Sequence, residues 1–346
     1  MRVLVIQTAF LGDVILTLPL LGLARATEGV EWLGVIAAPA GAELLRTQEL
    51  ADEIIEYDKR GRDRGVAALL RLARFVRRLD VDAALIPHRS FRSALLAWAA
   101  GIPVRVGFDE SGGRCLLSKV VPYRARHHEA ERAASLIEGA GGALSTGRVP
   151  LRLTPREGDL DTVDGLLAEA GFRDGAPVIL VAPGSRWSTK RWPPERFGEA
   201  AAVIAERLGA VVVVTGSPED REAGAAVARA AAGPLLDLTG KLAIGPWIAL
   251  TARARLLLSN DSAAVHVASA VGTPVVAIFG PTVTGQGFRP YASDARVVEV
   301  DLPCRPCGRH GAARCPLQTM ACMRGVSVGA VVETAMALLA PGHGRA

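Results

Sequence analysis

The sequence predicts an α/β protein in which two doubly wound, Rossmann-like domains face a central cleft. Short β-branched runs alternate with Ala- and Leu-rich stretches of helical periodicity, and this alternation is typical of helices that cover parallel sheets. The chain of 346 residues is longer than one core usually requires. An irregular stretch at 148–158 interrupts the alternation. We therefore expect domains at 1–155 and 156–325, and a C-terminal helical segment at 326–346 that packs back on the first domain.

Continuous apolar runs mark the strands, as expected for strands that are covered on both faces. In the first half the strands are predicted at 3–6, 31–36, 53–57 and 83–87, and in the second half at 178–182, 210–215, 256–259 and 275–279. Apolar residues spaced by three and four, with arginines between them, predict a surface helix at 65–79. The same periodicity predicts an amphipathic helix at 327–339.

Composition restricts the class of partner. The net charge of +5 favours an anionic partner, but aromatic residues make up only 5% and do not alternate with basic ones, which argues against nucleic acid. Gly12 and Asp13 interrupt the first apolar stretch, and no run reaches the roughly 18 apolar residues of a membrane span. We expect a cytoplasmic protein, with peripheral contact to the inner face of a membrane.

Three loops that follow predicted strands carry the candidate chemistry, because ligands of open α/β sheets bind beyond the carboxyl ends of the strands. The first loop, 7–13, ends in Asp13. Asp13 is either a first-turn acid that caps a helix or a base that removes a proton from a hydroxyl group.

The second loop, 182–193, contains a glycine, hydroxyl groups and the cations Lys190 and Arg191. These groups can bind a diphosphate and stabilise it as a leaving group, with Lys190 as the main charge and Ser185 as a hydroxyl. The alternative is a solvated basic loop whose exit is fixed by the helix start at Trp192 and Pro193.

The third loop follows the buried run at 256–259 and contains Asn260, Asp261 and Ser262, with His266 one turn further on. Asp261 or Ser262 could simply cap a helix, but three successive hydrogen-bonding residues exceed what one cap requires. His266 is either a ligand contact or a structural histidine.

Two other strand ends and one acidic pair complete the candidates. Glu222 follows a strand end rich in glycine and acids and could bind ribose hydroxyls, and Gly280 and Thr282 form a turn whose backbone is accessible. Asp159 and Asp161 match an Asp-x-Asp metal signature, but their position at a helix start favours capping.

Four cysteines are close together in the sequence, Cys304, Cys307, Cys315 and Cys322. Their number suits a tetrahedral zinc ion or an iron–sulfur cluster with a structural role, whereas their irregular spacing suits free thiols. An odd total of five cysteines argues against a disulfide framework.

Several motifs in this order resemble the heptosyltransferases of glycosyltransferase family 9, which have the two-domain GT-B fold. The motifs are FLGDVILTLP at 10–19, RSALL at 92–96, KRWP at 190–193, NDS at 260–262, HVA at 266–268, GPT at 280–282 and CMR at 322–324. The resemblance covers nearly the whole chain. It implies an inverting glycosyltransferase that needs no catalytic metal and moves L-glycero-D-manno-heptose from ADP-heptose to Kdo or heptose on the lipid-anchored lipopolysaccharide core.

The resemblance also implies roles for single residues. Asp13 corresponds to the general base and Lys190 to the lysine that contacts the diphosphate, beside the phosphate-side hydroxyl of Ser185. The remaining donor contacts are Glu222 at the ribose, Leu242 at the adenine and Asp261 at the sugar. Ala263 stands where the family often has glycine, which leaves the donor sugar open.

The acceptor and the alternatives follow from the same comparison. Arg60, Arg89 and Arg92 are candidates for binding an acidic acceptor, or else belong to a solvated surface. One alternative function is transfer from another nucleotide sugar to a different surface glycan, and the other is a nucleotide-binding module without catalysis.

Overall fold

A computed structural model describes residues 1–144, 148–231 and 233–340. Residues 341–346, the end of the segment expected to pack as a C-terminal helix, lie outside the described residues. The chain divides into two compact units, Met1–Arg152 and Leu153–Ala346. The division falls within the irregular stretch 148–158.

Unit 1 contains a sheet of six parallel strands in the order β3-β2-β1-β4-β5-β6. The strands are β1 (Arg2–Gln7), β2 (Trp32–Ala37), β3 (Glu53–Glu56), β4 (Ala83–Ile86), β5 (Val104–Phe108) and β6 (Lys119–Val121). The helices are α1 (Leu11–Ile15), α2 (Leu18–Ala26), α3 (Pro39–Arg46), α4 (Gly65–Arg77), α5 (Phe91–Ala99) and α6 (Glu129–Ser135). The residues of β1 from Val3 to Ile6 are fully buried, so β1 lies at the centre of the core.

Unit 2 repeats this architecture, with the strand order β12-β11-β10-β7-β8-β9. The strands are β7 (Val178–Ala182), β8 (Val211–Val214), β9 (Leu235–Asp237), β10 (Leu256–Asn260), β11 (Val275–Ile278) and β12 (Ala295–Val298). The helices are α7 (Glu157–Glu169), α8 (Pro194–Leu208), α9 (Arg221–Ala230), α10 (Ile244–Arg253), α11 (Ala263–Val271), α12 (Ala321–Arg324) and α13 (Val328–Leu339).

The two sheets have the same topology. Counted within its own unit, each sheet reads 3-2-1-4-5-6, which is the doubly wound order, so the predicted fold class is confirmed. In this order the chain reverses direction between the first and fourth strands, and the adjacent loops leave a crevice there. The switch points are β1/β4 in unit 1 and β7/β10 in unit 2.

Four strands were not predicted: β5, β6, β9 and β12. In β5 the apolar run is broken by Arg105, whose guanidinium donates to the Leu116 carbonyl at 2.7 Å. The strands β6, β9 and β12 lie at sheet edges and are short, and their partial exposure removes the continuous apolar pattern of a central strand.

The last helix, α13, begins after Ser327, whose hydroxyl accepts from the Ala330 amide at 3.1 Å. It packs against α8, β11 and β12 of unit 2. Packing on the first domain stays a prediction. Within the described ranges, no helix combines the length and hydropathy that crossing a bilayer requires.

Candidate active site

Asp13 lies where β1 leads into α1. It is the third residue of α1, and its Oδ2 accepts from the Phe10 amide at 3.1 Å, so the expected capping contact is present. Burial raises the pKa of Asp13 above its ordinary value, and this effect outweighs the opposing effects of the Phe10 hydrogen bond and of the nearby Lys59 and Arg89 charges. A carboxylate with a raised pKa is a better proton acceptor, as a general base requires.

Thr8 connects the two sides of the β1/β4 switch point. Its hydroxyl is 3.2 Å from His88 Nδ1, just beyond β4, and accepts from Lys59 Nζ at 3.1 Å. Burial lowers the pKa of His88 to about 4, so its ring is neutral near pH 7. Burial, followed by the charges of Arg60 and Arg92, lowers the pKa of Lys59 to about 8. Lys59 is therefore a cation that titrates close to neutrality.

The three acceptor candidates have different surroundings. The Arg60 guanidinium lies 4.3 Å from the Phe10 ring centre. Arg89 Nη1 lies 2.6 Å from Glu110 Oε2, and its guanidinium is 4.0 Å from the Tyr123 ring centre. Arg92 donates to the Tyr57 hydroxyl and to the Gly65 carbonyl. All three guanidinium groups are therefore engaged with residues of unit 1, and all three stay acceptor candidates.

A second carboxylate, that of the half-buried Glu129, interacts electrostatically with Asp13. Tyr123 donates to Glu129 at 3.2 Å, and Arg132 Nη2 is 2.9 Å from it. Burial raises the pKa of Glu129, and the Asp13 charge adds to this rise. The sequence pattern does not indicate Glu129, because it lies in α6 and not in a loop directly after a predicted strand.

The β7/β10 switch point of unit 2 contains an ion pair between Lys190 and Asp261. Lys190 Nζ lies 2.6 Å from Asp261 Oδ2, and the two side chains are only 12% and 7% exposed. Thr282 donates to the same carboxylate oxygen at 2.6 Å. Two predicted loops and the predicted turn therefore meet at one carboxylate.

The neighbouring polar residues hold the loops in place. Asn260 accepts from the Trp192 amide at 2.9 Å and donates to the Pro183 carbonyl at 2.7 Å, so it joins the strand ends. Ser185 donates to the Asp261 carbonyl at 3.3 Å. Ser262 caps α11 through the Ala264 amide, as the simpler interpretation expected.

His266 is buried in α11, and its Nδ1 has no hydrogen-bond partner among the described residues. Burial lowers its pKa to about 4, although the Asp261 charge opposes this effect and Lys190 adds to it. A buried polar atom without a partner is costly. This atom, near the Lys190–Asp261 pair, therefore favours the ligand-contact interpretation.

The remaining candidates lie at other strand ends. Glu222 is exposed in the first turn of α9, and Leu242 is half-buried against the core under α10. Gly280 lies so close to Met323 that an added Cβ would be 2.1 Å from its sulfur. Asp159 lies in the first turn of α7, as the capping interpretation predicted.

The loop that carries Cys304, Cys307 and Cys315 contacts the Lys190 loop. Thr189 donates to the Ala312 carbonyl at 2.7 Å and accepts from the Ala312 amide at 2.9 Å. Ser188 donates to the Ala313 carbonyl at 2.5 Å. These contacts hold the backbone next to Lys190, a role that the sequence analysis did not assign to Thr189.

Arg305 holds the other side of this loop. Its buried guanidinium donates to the carbonyls of Gly280, Val300 and Thr282 and lies 2.5 Å from Glu299. The Gly280–Thr282 turn is thus fixed by a residue that follows directly after Cys304.

The cysteines do not form a ligand set in this conformation. Among the described residues, no group of three or more His, Cys, Asp or Glu side chains could hold a metal ion. Cys304 is exposed, Cys307 and Cys315 are half-buried and Cys322 is buried. Burial raises the pKa of the Cys307 thiol, and the charges of Cys304 and Cys315 add to this rise. The thiols are thus near one another without coordinating geometry.

Two doubly wound units, each with polar side chains at its switch point, are the architecture of GT-B glycosyltransferases. A solved family 9 glycosyltransferase from Veillonella parvula has this fold with a TM-score of 0.82 and 26% identity, over 98% of this chain and 97% of that one. The structure of E. coli ADP-heptose LPS heptosyltransferase II matches with a TM-score of 0.79 and 24% identity, over 98% of both chains.

The chain belongs to glycosyltransferase family 9. The model of glycosyltransferase family 9 (heptosyltransferase) matches residues 69–317. Lipopolysaccharide heptosyltransferase 1 of Pseudomonas aeruginosa is 30% identical over 324 residues, which cover 89% of this chain and 86% of that protein. The resemblance inferred from the motifs is therefore confirmed. The protein is a glycosyltransferase.

Proposed function

We propose that the protein transfers L-glycero-D-manno-heptose from ADP-heptose to the Kdo or heptose inner core of lipopolysaccharide. The related protein named lipopolysaccharide heptosyltransferase 1 supports the sugar and the pathway. The buried Lys190–Asp261 pair at the β7/β10 switch point is the observation that carries the proposal, because it places a cation where an anionic diphosphate binds in this fold.

In the proposed reaction an acceptor hydroxyl oxygen attacks the anomeric carbon of heptose on the face opposite the diphosphate. A new C–O bond forms, the bond from carbon to the β-phosphate oxygen breaks, and its electron pair leaves with ADP, so the configuration inverts. The hydroxyl proton passes to the Asp13 carboxylate. A base with a raised pKa suits this step, and no metal is needed to accept the proton.

Lys190 supplies the charge for the leaving group. As negative charge develops on the diphosphate, a fixed ammonium in a site with little water stabilises it more than water would. Three further groups lie around Asp261. Thr282 donates to its carboxylate and Ser185 to its backbone carbonyl, and His266, whose Nδ1 has no partner among the described residues, feels its charge. We assign the sugar to Asp261, the ribose to Glu222 and the adenine to Leu242.

A single-turnover assay with ADP-heptose and a Kdo-lipid acceptor tests the proposal. Formation of a heptosylated acceptor is expected, and calorimetry should show tighter binding of ADP than of UDP or GDP. Preference for UDP or GDP, with no heptose transfer, would support a different nucleotide sugar. The three nucleotides need to be compared because Ala263 stands where the family often has glycine, which leaves the donor sugar open.

The pKa of Lys59 predicts that acceptor binding weakens at high pH. Its pKa of about 8 means that the ammonium is charged below this pH and neutral above it, so attraction for an acidic acceptor is lost as the pH rises through about 8. We expect the acceptor KM to rise across this range while the donor KM does not. K59R should remove the rise because arginine stays charged. K241R, with its lysine in unit 2, serves as the control. A rise that persists in K59R would exclude Lys59.

We further propose that the four clustered cysteines bind a structural zinc ion or iron–sulfur cluster after the thiols draw together. Elemental analysis of purified protein should then find stoichiometric zinc or iron, and C307S/C322S should lose the metal and melt at a lower temperature. C115S, which removes the isolated exposed thiol, is the control and should change neither measurement. Metal-free protein with an unchanged melting temperature after chelation would leave the cysteines as free thiols.

A further inference from the structure

Large apolar side chains are exposed on two neighbouring helices of unit 1. On α4, Val66, Leu70 and Phe75 are 69%, 40% and 41% exposed, and on α5, Phe91 and Trp98 are 51% and 55% exposed. These five are most of the eight large exposed apolar side chains in the described part of the chain. Such a concentration usually marks a binding surface.

The two helices lie side by side and run in the same direction. At their beginnings, Arg92 of α5 donates to the Gly65 carbonyl, and at their ends, Arg77 of α4 donates to the Ala99 carbonyl. Val66 and Leu70 are four residues apart and Arg77 is seven further on, so they share the side of α4 that faces α5. Phe91 and Trp98 are seven residues apart and share the outward side of α5.

Exposed arginines accompany these apolar residues. Arg71, Arg74 and Arg78 are exposed, and none forms an ion pair with a described residue. Neither α4 nor α5 contains an aspartate or glutamate, and the acids nearest to α4 in sequence are Asp63 and Asp80. We define the α4–α5 face as Val66, Leu70, Arg71, Arg74, Arg78, Phe91 and Trp98.

This combination fits an anionic lipid surface. Helices that lie in a membrane interface present apolar and aromatic side chains together with basic ones, and tryptophan is enriched at that depth. A second copy of the chain fits less well. In a two-fold dimer the same patch meets itself, so the unpaired arginines would face one another.

We propose that the α4–α5 face docks the protein on a membrane that contains anionic lipids, with Phe91 and Trp98 inserted among the headgroups. The inference rests on the proposed function in one respect: an acceptor anchored in lipid requires the enzyme to work at a membrane. The docking surface brings the enzyme to the plane in which such an acceptor is held.

Sedimentation of the full chain with vesicles tests the proposal. The vesicles are phosphatidylcholine alone or phosphatidylcholine mixed with phosphatidylglycerol. We expect binding to the mixed vesicles, and a loss of roughly thirtyfold in partitioning for R71Q/R74Q, given the contribution of each basic residue near an anionic surface. F91S/W98S should also weaken binding. The matched controls, R207Q/R229Q for charge and L317S for an exposed apolar side chain, should bind as the unmodified protein does.

Circular dichroism and melting temperature establish that each variant is folded. Equal binding by R71Q/R74Q, F91S/W98S and the unmodified protein would overturn the proposal. A concentration-dependent dimer that F91S/W98S abolishes, without vesicle binding, would also overturn it and assign the face to a second copy.

Activity on a deacylated, soluble acceptor separates this proposal from the proposed function. The face variants should keep that activity while losing vesicle binding. If the protein binds anionic vesicles through this face but transfers no heptose to any acceptor, the proposed function fails and the docking surface stands.

Discussion

Substituting Asp13 by asparagine is expected to reduce turnover at least about a hundredfold, because general-base catalysis contributes roughly 10²- to 10⁴-fold. The amide oxygen of asparagine can still accept from the Phe10 amide, so the start of α1 should be kept. Single-turnover rates measure the chemical step, and calorimetry with ADP should show unchanged binding. In the unmodified protein, turnover at acidic pH should rise with pH as Asp13 loses its proton. D13N should not show this rise.

A matched control exists in unit 2. Asp159 is also the third residue of a helix and also follows a glycine. D159N should therefore leave turnover nearly unchanged, because it removes a carboxylate at the start of a helix but does not remove the proposed catalytic base. Near-normal turnover in D13N would remove Asp13 from the mechanism and leave it as a capping residue.

Replacing Lys190 by methionine has the second largest expected effect. Turnover should fall about 10²- to 10³-fold, the cost of losing a single charge-stabilising group, and ADP should bind more weakly. Because Asp261 is buried, its unpaired charge should also lower the free energy of unfolding by about 3 kcal/mol. Denaturant unfolding measures this second effect separately from catalysis.

The double variant K190M/D261N distinguishes the two roles of Lys190. Removing both charges should restore most of the lost stability, whereas turnover should stay low because Lys190 and Asp261 are both assigned to the donor. K241M, which removes an exposed lysine of the same unit, is the control. Full activity in K190M would assign the leaving-group charge to another residue.

The loops of the site could be predicted because each follows a central strand. The apolar runs of β1, β7 and β10 are continuous, and the polar residues after them stand out against this pattern. The strand order then explains why the loops with Lys190 and Asp261 meet. The strands β7 and β10 are neighbours in the sheet, although 73 residues, which include β8 and β9, lie between the end of β7 at Ala182 and the start of β10 at Leu256.

The parts that could not be predicted depend on contacts between distant segments. Glu129 approaches Asp13 from α6, and Thr189 meets Ala312 across more than a hundred residues. Neither contact leaves a local pattern of periodicity or spacing. Edge strands such as β6 were missed for a different reason: one or both faces are exposed, and their residues are not selected for continuous hydrophobicity.

The double hydrogen bond between Thr189 and Ala312 has a consequence for the energetics of donor binding. Because Asn260 holds the amide of Trp192 on the other side, contacts within the protein anchor the backbone around Lys190. The pair with Asp261 has likewise already restricted the lysine side chain, which otherwise carries about 2 kcal/mol of rotamer entropy. In the proposed function, donor binding would then exchange one partner of an ordered ammonium, the Asp261 carboxylate, for another, the diphosphate. After transfer, the carboxylate can reclaim its cation and so favour the departure of ADP.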